Sequence, residues 1–350
     1  MLNFNGVTCG ESWFSSAGQD DDVVVSSRVR LARNIVGHPF PPRLDRPGKI
    51  AVRKQVEHII AAVPDVFTFV EIARVSALEA EILVEKRLID SEFTDSDGAL
   101  LVRDDESLSV SLFDIDHVRI SSIRPGFAVK RCLETAESLD GILDNELQYA
   151  VALDLGYLTT EVTNCGTGMR ASVLVHLPGL AESSKMEEVS RQFDDSGFRL
   201  APYGPNEHPV LGGMFHLSNS RTIGVGEEEI VEKLEGAAQQ LVHYERRARQ
   251  EMMDTLGSRI EDNVYRAYGI LRYARVVSSD EAVRLLSWLR FGAAVGILGG
   301  LSLSAVTALL FRTQNAHIRL SCTHGRKTDD DNEIDQHRAE LIRSRLESAS

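Results

Sequence analysis

Apolar positions along the chain form two kinds of pattern, short β-branched runs and longer stretches at helical spacing. Val23-Val24-Val25 has the character of a buried strand and delivers Ser26-Ser27-Arg28-Val29-Arg30-Leu31-Ala32-Arg33-Asn34 at its end. Pro39, Pro41 and Pro42 then mark a turn-rich connection. Residues 68–72, 99–102 and 108–113 read as strands of a mixed or antiparallel sheet, and 171–177 returns to strand character after the loop 163–170. Residues 49–62 and 127–153 carry the apolar spacing of helices. Gly226 followed by Glu227-Glu228-Glu229 opens another helix, with Arg246, Arg247 and Arg249 near its end and Ile230, Leu234, Ala237, Leu241 and Tyr244 on one face. From about residue 255 the pattern is helical, with candidate helices at 259–271, 279–290 and 333–348 and an exposed connector at 317–332. Residues 1–21 are polar and read as a loose arm.

Phe291 to Phe311 runs without a charge between Arg290 and Arg312 and is long enough to span a bilayer. Gly299-Gly300-Leu301-Ser302 in its middle reads as a helix C-terminal glycine followed by a serine N-cap. Each half is then too short to span, which predicts a buried helix pair. A chain of 350 residues is comfortable for two domains, and its 43% hydrophobic and 26% charged residues are those of a globular protein. The balance of 52 acidic against 38 basic residues argues against broad electrostatic binding to nucleic acid and suits basic protein partners. Cys9, Cys132, Cys165 and Cys322 are widely spaced, with no zinc-ligand spacing, and read as free thiols in a reducing cytoplasm. The N-terminal residues lack the basic and apolar segments of a secretory signal, so a cytoplasmic location is expected.

No Walker A string occurs, and no Gly-rich loop, lysine and HRD/DFG set points to an ordinary protein kinase. Arginines placed on several strands can clamp phosphate instead, because each planar guanidinium offers several donors and keeps its charge during transfer. Arg28, Arg30 and Arg170 are the candidates. His117, within Phe113-Asp114-Ile115-Asp116-His117, suggests a metal cluster, but the alternation around it reads better as a strand with polar positions outward, and no metal site is assigned.

Four segments carry a resemblance. SSRVRLARN at 26–34, followed by PFP at 39–41, resembles the nucleotide-binding strand of guanido kinases. TNCGTGMRASVLVHLPGL at 163–180 resembles the pattern TNxGTGxRASVxxHLP, and LSNSRTIGVGEEEIVEKL at 217–234 resembles the stretch after the phosphate loop. IEDNVYRAYGILRYARVVSSDEA at 260–282 is similar to the C-terminal region of bacterial protein-arginine kinases. The chain thus resembles the ATP:guanido phosphotransferase family, with departures in its catalytic motifs. The resemblance implies an α+β fold, a guanido-kinase-like antiparallel sheet flanked by helices and followed by a helical C-terminal domain. It implies a flexible arm at 1–21, a catalytic domain at 22–253 and a regulatory or dimerisation domain at 254–350. The implied activity is ATP-dependent phosphorylation of arginine residues in proteins; the alternative is a weakened or inactive regulatory binding protein on the same fold.

By the same resemblance, Ser26, Ser27, Arg28, Val29 and Arg30 on one strand and Arg170, Ala171, Ser172, Val173 and Leu174 on another contact ATP, whose phosphates carry Mg²⁺. The family string NEEDHLR aligns with Arg103-Asp104-Asp105-Glu106-Ser107-Leu108-Ser109, which makes Asp105 the base with Asp104 beside it and puts Ser109 where a phosphate arginine is expected. RGLYGEGTEA aligns with residues 201–210, so that a phosphate arginine falls on Ala201 and a guanidinium-binding carboxylate near Asn206, with Arg199 and Glu207 close enough to substitute. Glu161 occupies the place of a cysteine beside the substrate guanidinium, and reads either as a substrate contact or as a solvated loop glutamate. The phosphoarginine-recognition motif RDxxRA appears as Ile334-Asp335-Gln336-His337-Arg338-Ala339, leaving Asp335 and Arg338. Implied partners are proteins with exposed arginine, an activator protein and a second copy of the chain, with neither nucleic acid nor membrane among them.

Overall fold

The computed structural model describes residues 12–94, 96–183, 185–204, 212–322 and 330–348. Strand β1 (Val24–Arg33) lies inside an antiparallel sheet with β2 (Phe67–Glu71), β3 (Ala99–Arg103), β4 (Leu108–Leu112), β5 (Val118–Pro125), β8 (Met169–His176), β9 (Phe198–Pro202) and β10 (Met214–Asn219). Their order is β2-β3-β4-β5-β1-β8-β10-β9, and β6 (Val151–Ala152) pairs separately with β7 (Gly156–Tyr157). Every pairing is antiparallel. The helices are α1 (Arg46–Ala61), α2 (Ala77–Glu85), α3 (Val129–Leu147), α4 (Pro178–Glu182), α5 (Met186–Asp195), α6 (Glu227–Tyr273), α7 (Ser279–Ala294), α8 (Leu303–Arg312), α9 (Asn315–Cys322) and α10 (Asp331–Ser348). The expected α+β architecture with a helical C-terminal region is present.

Successive side chains on a strand point to opposite faces. On β1, Val29 and Leu31 enter a core that holds Leu133, Ala136 and Leu143 of α3, Ile59 of α1 and Leu234 and Leu241 of α6. Arg33 follows on that face, fully buried, and binds elements of three kinds. Its Nε and Nη2 donate to Asp140 Oδ2 at 3.0 and 2.7 Å, Nη2 donates to Glu227 Oε1 at 3.1 Å, and Nη1 donates to the Thr167 carbonyl at 2.9 Å. Tyr157 stacks on its guanidinium at 3.6 Å. A buried charge is tolerated only when paired and hydrogen-bonded this completely.

A second core joins the sheet to the helical region: Val25, Ile123, Leu174 and Met214 pack with Leu286, Leu289, Leu309 and Phe311. Helix α6 runs 47 residues through the expected boundary at 253/254 and leaves helical backbone at Leu256, where φ is −128° and ψ is 20°. The uncharged stretch splits as expected, with the Ser302 hydroxyl accepting from Ala305 N. The stop comes earlier than Gly299, because α7 ends at Ala294 and Gly296 takes φ +80°. Among the described residues no helix is long and apolar enough to cross a membrane.

Four local expectations are corrected. Residues 12–21 are not a loose arm: Trp13 and Phe14 are buried, Trp13 Nε1 donates to the Lys86 carbonyl, and Phe14 stacks on Phe311 at 5.0 Å. The helix expected to reach residue 153 stops at Leu147, where Gln148 takes φ +50°. Part of the expected connector at 317–332 is helical in α9, whose first turn is capped from a distance by the Glu85 carboxylate, accepting from Ala316 N and His317 N at 2.8 and 3.0 Å. His117 lies in the β4–β5 turn with its ring buried, rather than on a strand with outward polar positions.

At the junction of the two cores, Arg290 donates to the carbonyls of Asp21 and Asp22 and to His176 Nδ1. His176 Nε2 therefore carries the hydrogen and donates to Ser287 Oγ at 2.9 Å. Burial first, then the Arg290 and Arg249 charges, push the His176 pKa well below its ordinary value, so the fold holds it neutral. The unfolded chain binds a proton at this residue below about pH 6.5, so the stability it contributes is complete above that pH and is lost as the pH falls. Urea-unfolding free energies should decline from pH 7 towards pH 5 by up to about 1.4 kcal/mol per pH unit for this histidine. His176→Gln should remove one proton's worth of the slope; an unchanged slope would show that His176 is charged in the fold.

Candidate active site

The face of β1 opposite the core carries Ser26, Arg28 and Arg30. Strand register extends that face sideways, since directly paired residues share a side. Arg30 pairs with Arg170 on β8 and Ser121 on β5; Ser121 pairs with Ser109 on β4. Arg28 pairs with Ser172, Ser172 with Ser218, and Ser218 with Arg199 on β9. Arg119 on β5 pairs with Ala32 and joins the same side. Five arginines from four strands thus share one rigid surface, with small serines between them. A sixth, Arg87, reaches it from the loop after α2 with φ +61°, donating to Ser26 Oγ at 2.6 Å and to His216 Nε2 at 2.6 Å.

Positive charge on this face exceeds its local compensation. Burial first and then neighbouring Arg30 lower the pKa of both Arg28 and Arg170. His216 is likewise held well below its ordinary value by burial and then by Arg87, so it stays neutral and adds no further cation. Arg28 donates to Ser121 Oγ at 3.0 Å and lies 3.9 Å from Asp90. Asp90 pairs more closely with Arg30 and Arg119, at 2.5 and 3.1 Å. Arg170 makes no ion pair among the described residues. Such an array is built to receive a polyanion, with fork-shaped donors that match phosphate oxygens.

At the end of this face, the β4–β5 turn supplies acid groups. Asp114 pairs with Arg119 at 2.6 Å, and burial above all raises its pKa. Fully buried Asp116 accepts from Asn34 Nδ2 at 2.6 Å and from Thr160 N at 2.7 Å, tying the end of β1 to the loop that carries Glu161. His117 Nδ1 accepts from Ile35 N at 3.0 Å, so its Nε2 donates to the Pro39 carbonyl; burial lowers its pKa. Among the described residues no group of three or more His, Cys, Asp or Glu could hold a metal ion.

This geometry moves one motif. Read against NEEDHLR, Phe113-Asp114-Ile115-Asp116-His117-Val118-Arg119 keeps the aspartate, histidine and arginine, and Arg119 lies on the arginine face. Asp104 and Asp105 lie in the β3–β4 turn instead. There Asp105 is more than half exposed, accepts from Arg103 Nε at 2.9 Å and Ser107 N at 3.0 Å, and touches none of the clustered arginines. The expectation that Asp105 is the base is therefore corrected: the position falls on Ile115, with Asp114 beside it. Ser109 shares the arginine face, and the arginine it was expected to replace is present as Arg119.

Of the other expected contacts, Ser26, Arg28, Arg30, Arg170, Ser172 and Leu174 lie on the open side, though Leu174 is buried in the second core. Ser27, Val29, Ala171 and Val173 lie on the opposite side; Val29, Ala171 and Val173 enter the α3 core, and the Ser27 hydroxyl is spent on the Gly126 carbonyl and Ala128 N. Ala201 pairs with His216, while Arg199 supplies a charge on the Arg28 row. Glu161 is exposed and accepts from Asn164 Nδ2 at 3.0 Å. Asn206 and Glu207 lie outside the described residues. Arg338 is fully buried and donates to the carbonyls of Thr313 and Val277, to Asp335 and to Asn315, so that its guanidinium is occupied inside the helical region. Arg87 and Asp90, which have no local sequence signal, enter the site through tertiary packing.

A model of the ATP:guanido phosphotransferase C-terminal catalytic domain matches residues 51–248. The chain belongs to the ATP:guanido phosphotransferase family. A second model, the protein-arginine kinase McsB C-terminal domain, matches residues 257–350. Protein-arginine kinase of Brevibacillus brevis is 35% identical over 348 residues, covering 96% of this chain and 95% of that one. Protein-arginine kinase of Desulforamulus reducens is 36% identical over 345 residues, covering 97% and 96%. Family membership extends to the fold: a lombricine kinase crystal structure matches with a TM-score of 0.58 at 20% identity, covering 67% of this chain and 70% of that one. The duplicated taurocyamine kinase of Schistosoma mansoni, with bound transition state analog components, matches with a TM-score of 0.57 at 23% identity, covering 67% and 35%.

The arginine face gives a direct expectation for anion binding. Arg170→Ala should weaken tripolyphosphate binding by roughly 1.5–3 kcal/mol, the scale of a hydrogen bond to a charged group. Asp105→Asn, remote from the clustered guanidinium groups, should leave it unchanged. Calorimetry showing equal affinity for Arg170→Ala and the unaltered protein would remove Arg170 from the anion site.

Proposed function

We propose that this chain transfers the γ-phosphoryl group of ATP to arginine side chains of proteins. The observation that carries this reading is the face of Arg28, Arg30, Arg119, Arg170 and Arg199, whose guanidinium groups are held by sheet register before any nucleotide arrives. Phosphoryl transfer needs positioning and charge stabilisation more than covalent help from the protein, and preorganised donors on a rigid sheet supply both. The donor set fits the phosphates, and Mg²⁺ carried on them would neutralise further charge.

The acceptor guanidinium belongs at the end of the face where the β4–β5 turn meets the Glu161 loop. Glu161, exposed and anionic, suits pairing with an incoming arginine, and the chain's net charge of −14 favours basic partners. In the transfer, a guanidinium nitrogen forms the N–P bond, the bond from the γ-phosphorus to the ADP oxygen breaks, and the nitrogen's proton passes to a carboxylate. Ile115 cannot accept it. Asp114 stands next in the turn, and burial makes it more basic than an ordinary aspartate. Buried, unpaired Cys132 and Cys165 support a reducing, cytoplasmic setting.

Ile115 also favours a second reading, a nucleotide-binding regulatory protein with little turnover. Incubation with Mg²⁺-ATP and an arginine-rich protein, with phosphoarginine detected at neutral or basic pH because the N–P bond is acid-labile, separates the two. Asp114→Asn should lower turnover by roughly 10²-fold or more, the usual scale for loss of a general base, with little change in ATP affinity, and Ile115→Glu should raise it. ATP binding without phosphoarginine from either the unaltered protein or Ile115→Glu would establish the regulatory reading.

A further inference from the structure

Asp90 sits inside the arginine face although no strand of the sheet carries it. Its Oδ2 lies 2.5 Å from Arg30 Nη1 and 3.1 Å from Arg119 Nη1, and its Oδ1 lies 3.9 Å from Arg28 Nη1. One carboxylate oxygen thus bridges guanidinium groups of β1 and β5, as a phosphate oxygen would, while the other faces Arg28 at longer range. Among the described residues, no other carboxylate comes within ion-pair distance of Arg28 or Arg30.

The loop that presents Asp90 is anchored. Leu88, Ile89 and Phe93 are buried with Val70, Leu83, Leu100 and Val102, and Phe93 N donates to the Asp90 carbonyl at 3.1 Å. The Asp90 side chain is partly exposed, whereas withdrawing the loop would expose that cluster. Among the described residues Arg170 and Arg199 form no ion pair with Asp90 or any other carboxylate, and they make up the less compensated part of the face. The face is therefore divided into a self-neutralised half at Arg30 and Arg119 and an open half at Arg170 and Arg199.

We propose that Asp90 is a built-in counter-anion that occupies one phosphate subsite, so that a polyphosphate entering at Arg170 must displace or share Asp90 before it engages Arg30 and Arg119. This rests on the reading of the arginine face as the nucleotide site. Asp90 then sets which anions the face accepts. A short or singly charged anion leaves Asp90 in place, and only a polyphosphate long enough to reach both halves gains the whole set of guanidinium groups. Like charges a few ångströms apart in a partly buried site repel strongly, so the carboxylate weakens polyphosphate binding in proportion to its own charge.

The test is calorimetry on the full chain with tripolyphosphate and, separately, with ATP. Asp90→Asn should tighten tripolyphosphate binding by at least about tenfold, and Asp90→Glu should not. Arg30→Ala added to Asp90→Asn should erase the gain, which distinguishes release of a subsite from a general change in charge. Folded Asp90→Asn that binds tripolyphosphate no better than the unaltered protein would overturn the proposal. If Asp90→Asn does not fold, Asp90→Ser carries the same expectations and the same refutation. Tighter tripolyphosphate binding without ATP binding in either protein would keep the counter-anion and remove the nucleotide reading; no binding of either probe to either protein would remove both.

Discussion

Arginines paired across adjacent strands start from backbones about 4.8 Å apart, so their like charges repel unless something compensates. The arginine face exists because the opposite side of the same strands is bonded to a large core. Val29, Leu31, Ala171 and Val173 are buried against helices, and each fully buried valine or leucine side chain contributes roughly 1.5–3 kcal/mol. Arg33 continues that logic within one strand. Its charge is neutralised from the core side by Asp140 and Glu227, while on the other side of β1 Asp90 pairs with Arg30 and leaves Arg28 less fully compensated. A surface prepared for a ligand's charge is strained without it, and the core supplies the margin.

The helical region is joined to this arrangement by specific polar contacts as well as by packing. Arg290 of α7 gathers the carbonyls of Asp21 and Asp22 and the ring of His176, which ends β8. Arg249 of α6 adds a bond to the His176 carbonyl at 3.0 Å. Glu85, the last residue of α2, caps α9, and α2 leads directly into the loop of Arg87 and Asp90. Position in the C-terminal helices is therefore mechanically connected to both strands and loop at the arginine face. Arg338 holds α9 and α10 together from inside, through Asn315 and Thr313, which makes it a brace of that connection.

Much of this was legible in the residue order where local pattern and tertiary use agree. The β-branched start of β1, the arginines that follow it, the split of the uncharged stretch and the helix opening at Glu227 all carry their own signals. What was not legible depended on register or distance. Asp105 and Asp114 lie in neighbouring turns with similar acidic strings; the Asp116-His117 pair and Arg119 already set the second string apart in the residue order, and strand pairing places that arginine on the shared face. Ser27 and Val29 are interleaved with true face residues, and the two-residue period of a strand sends them inward. α9 has its cap supplied by Glu85, more than two hundred residues earlier. Asp90 has no local mark at all, because its meaning comes from where the loop after α2 is packed.

On the proposed reaction, the β4–β5 turn couples two changes of charge. Asp114 is both an ion-pair partner of Arg119 and a carboxylate beside the position that Ile115 occupies. Uptake of the acceptor's proton would neutralise Asp114 and release its hold on Arg119 as negative charge develops on the transferring phosphoryl oxygens. The same step would make Arg119 more available to the phosphate at the moment it is needed. Asn at position 114 would remove that ion pair and leave Arg119 to Asp90 alone while accepting no proton, so it separates the two roles: phosphate affinity changes little, and transfer falls. An isoleucine at 115 accepts no proton itself, and the burial of Asp114 is what raises the affinity of its carboxylate for one.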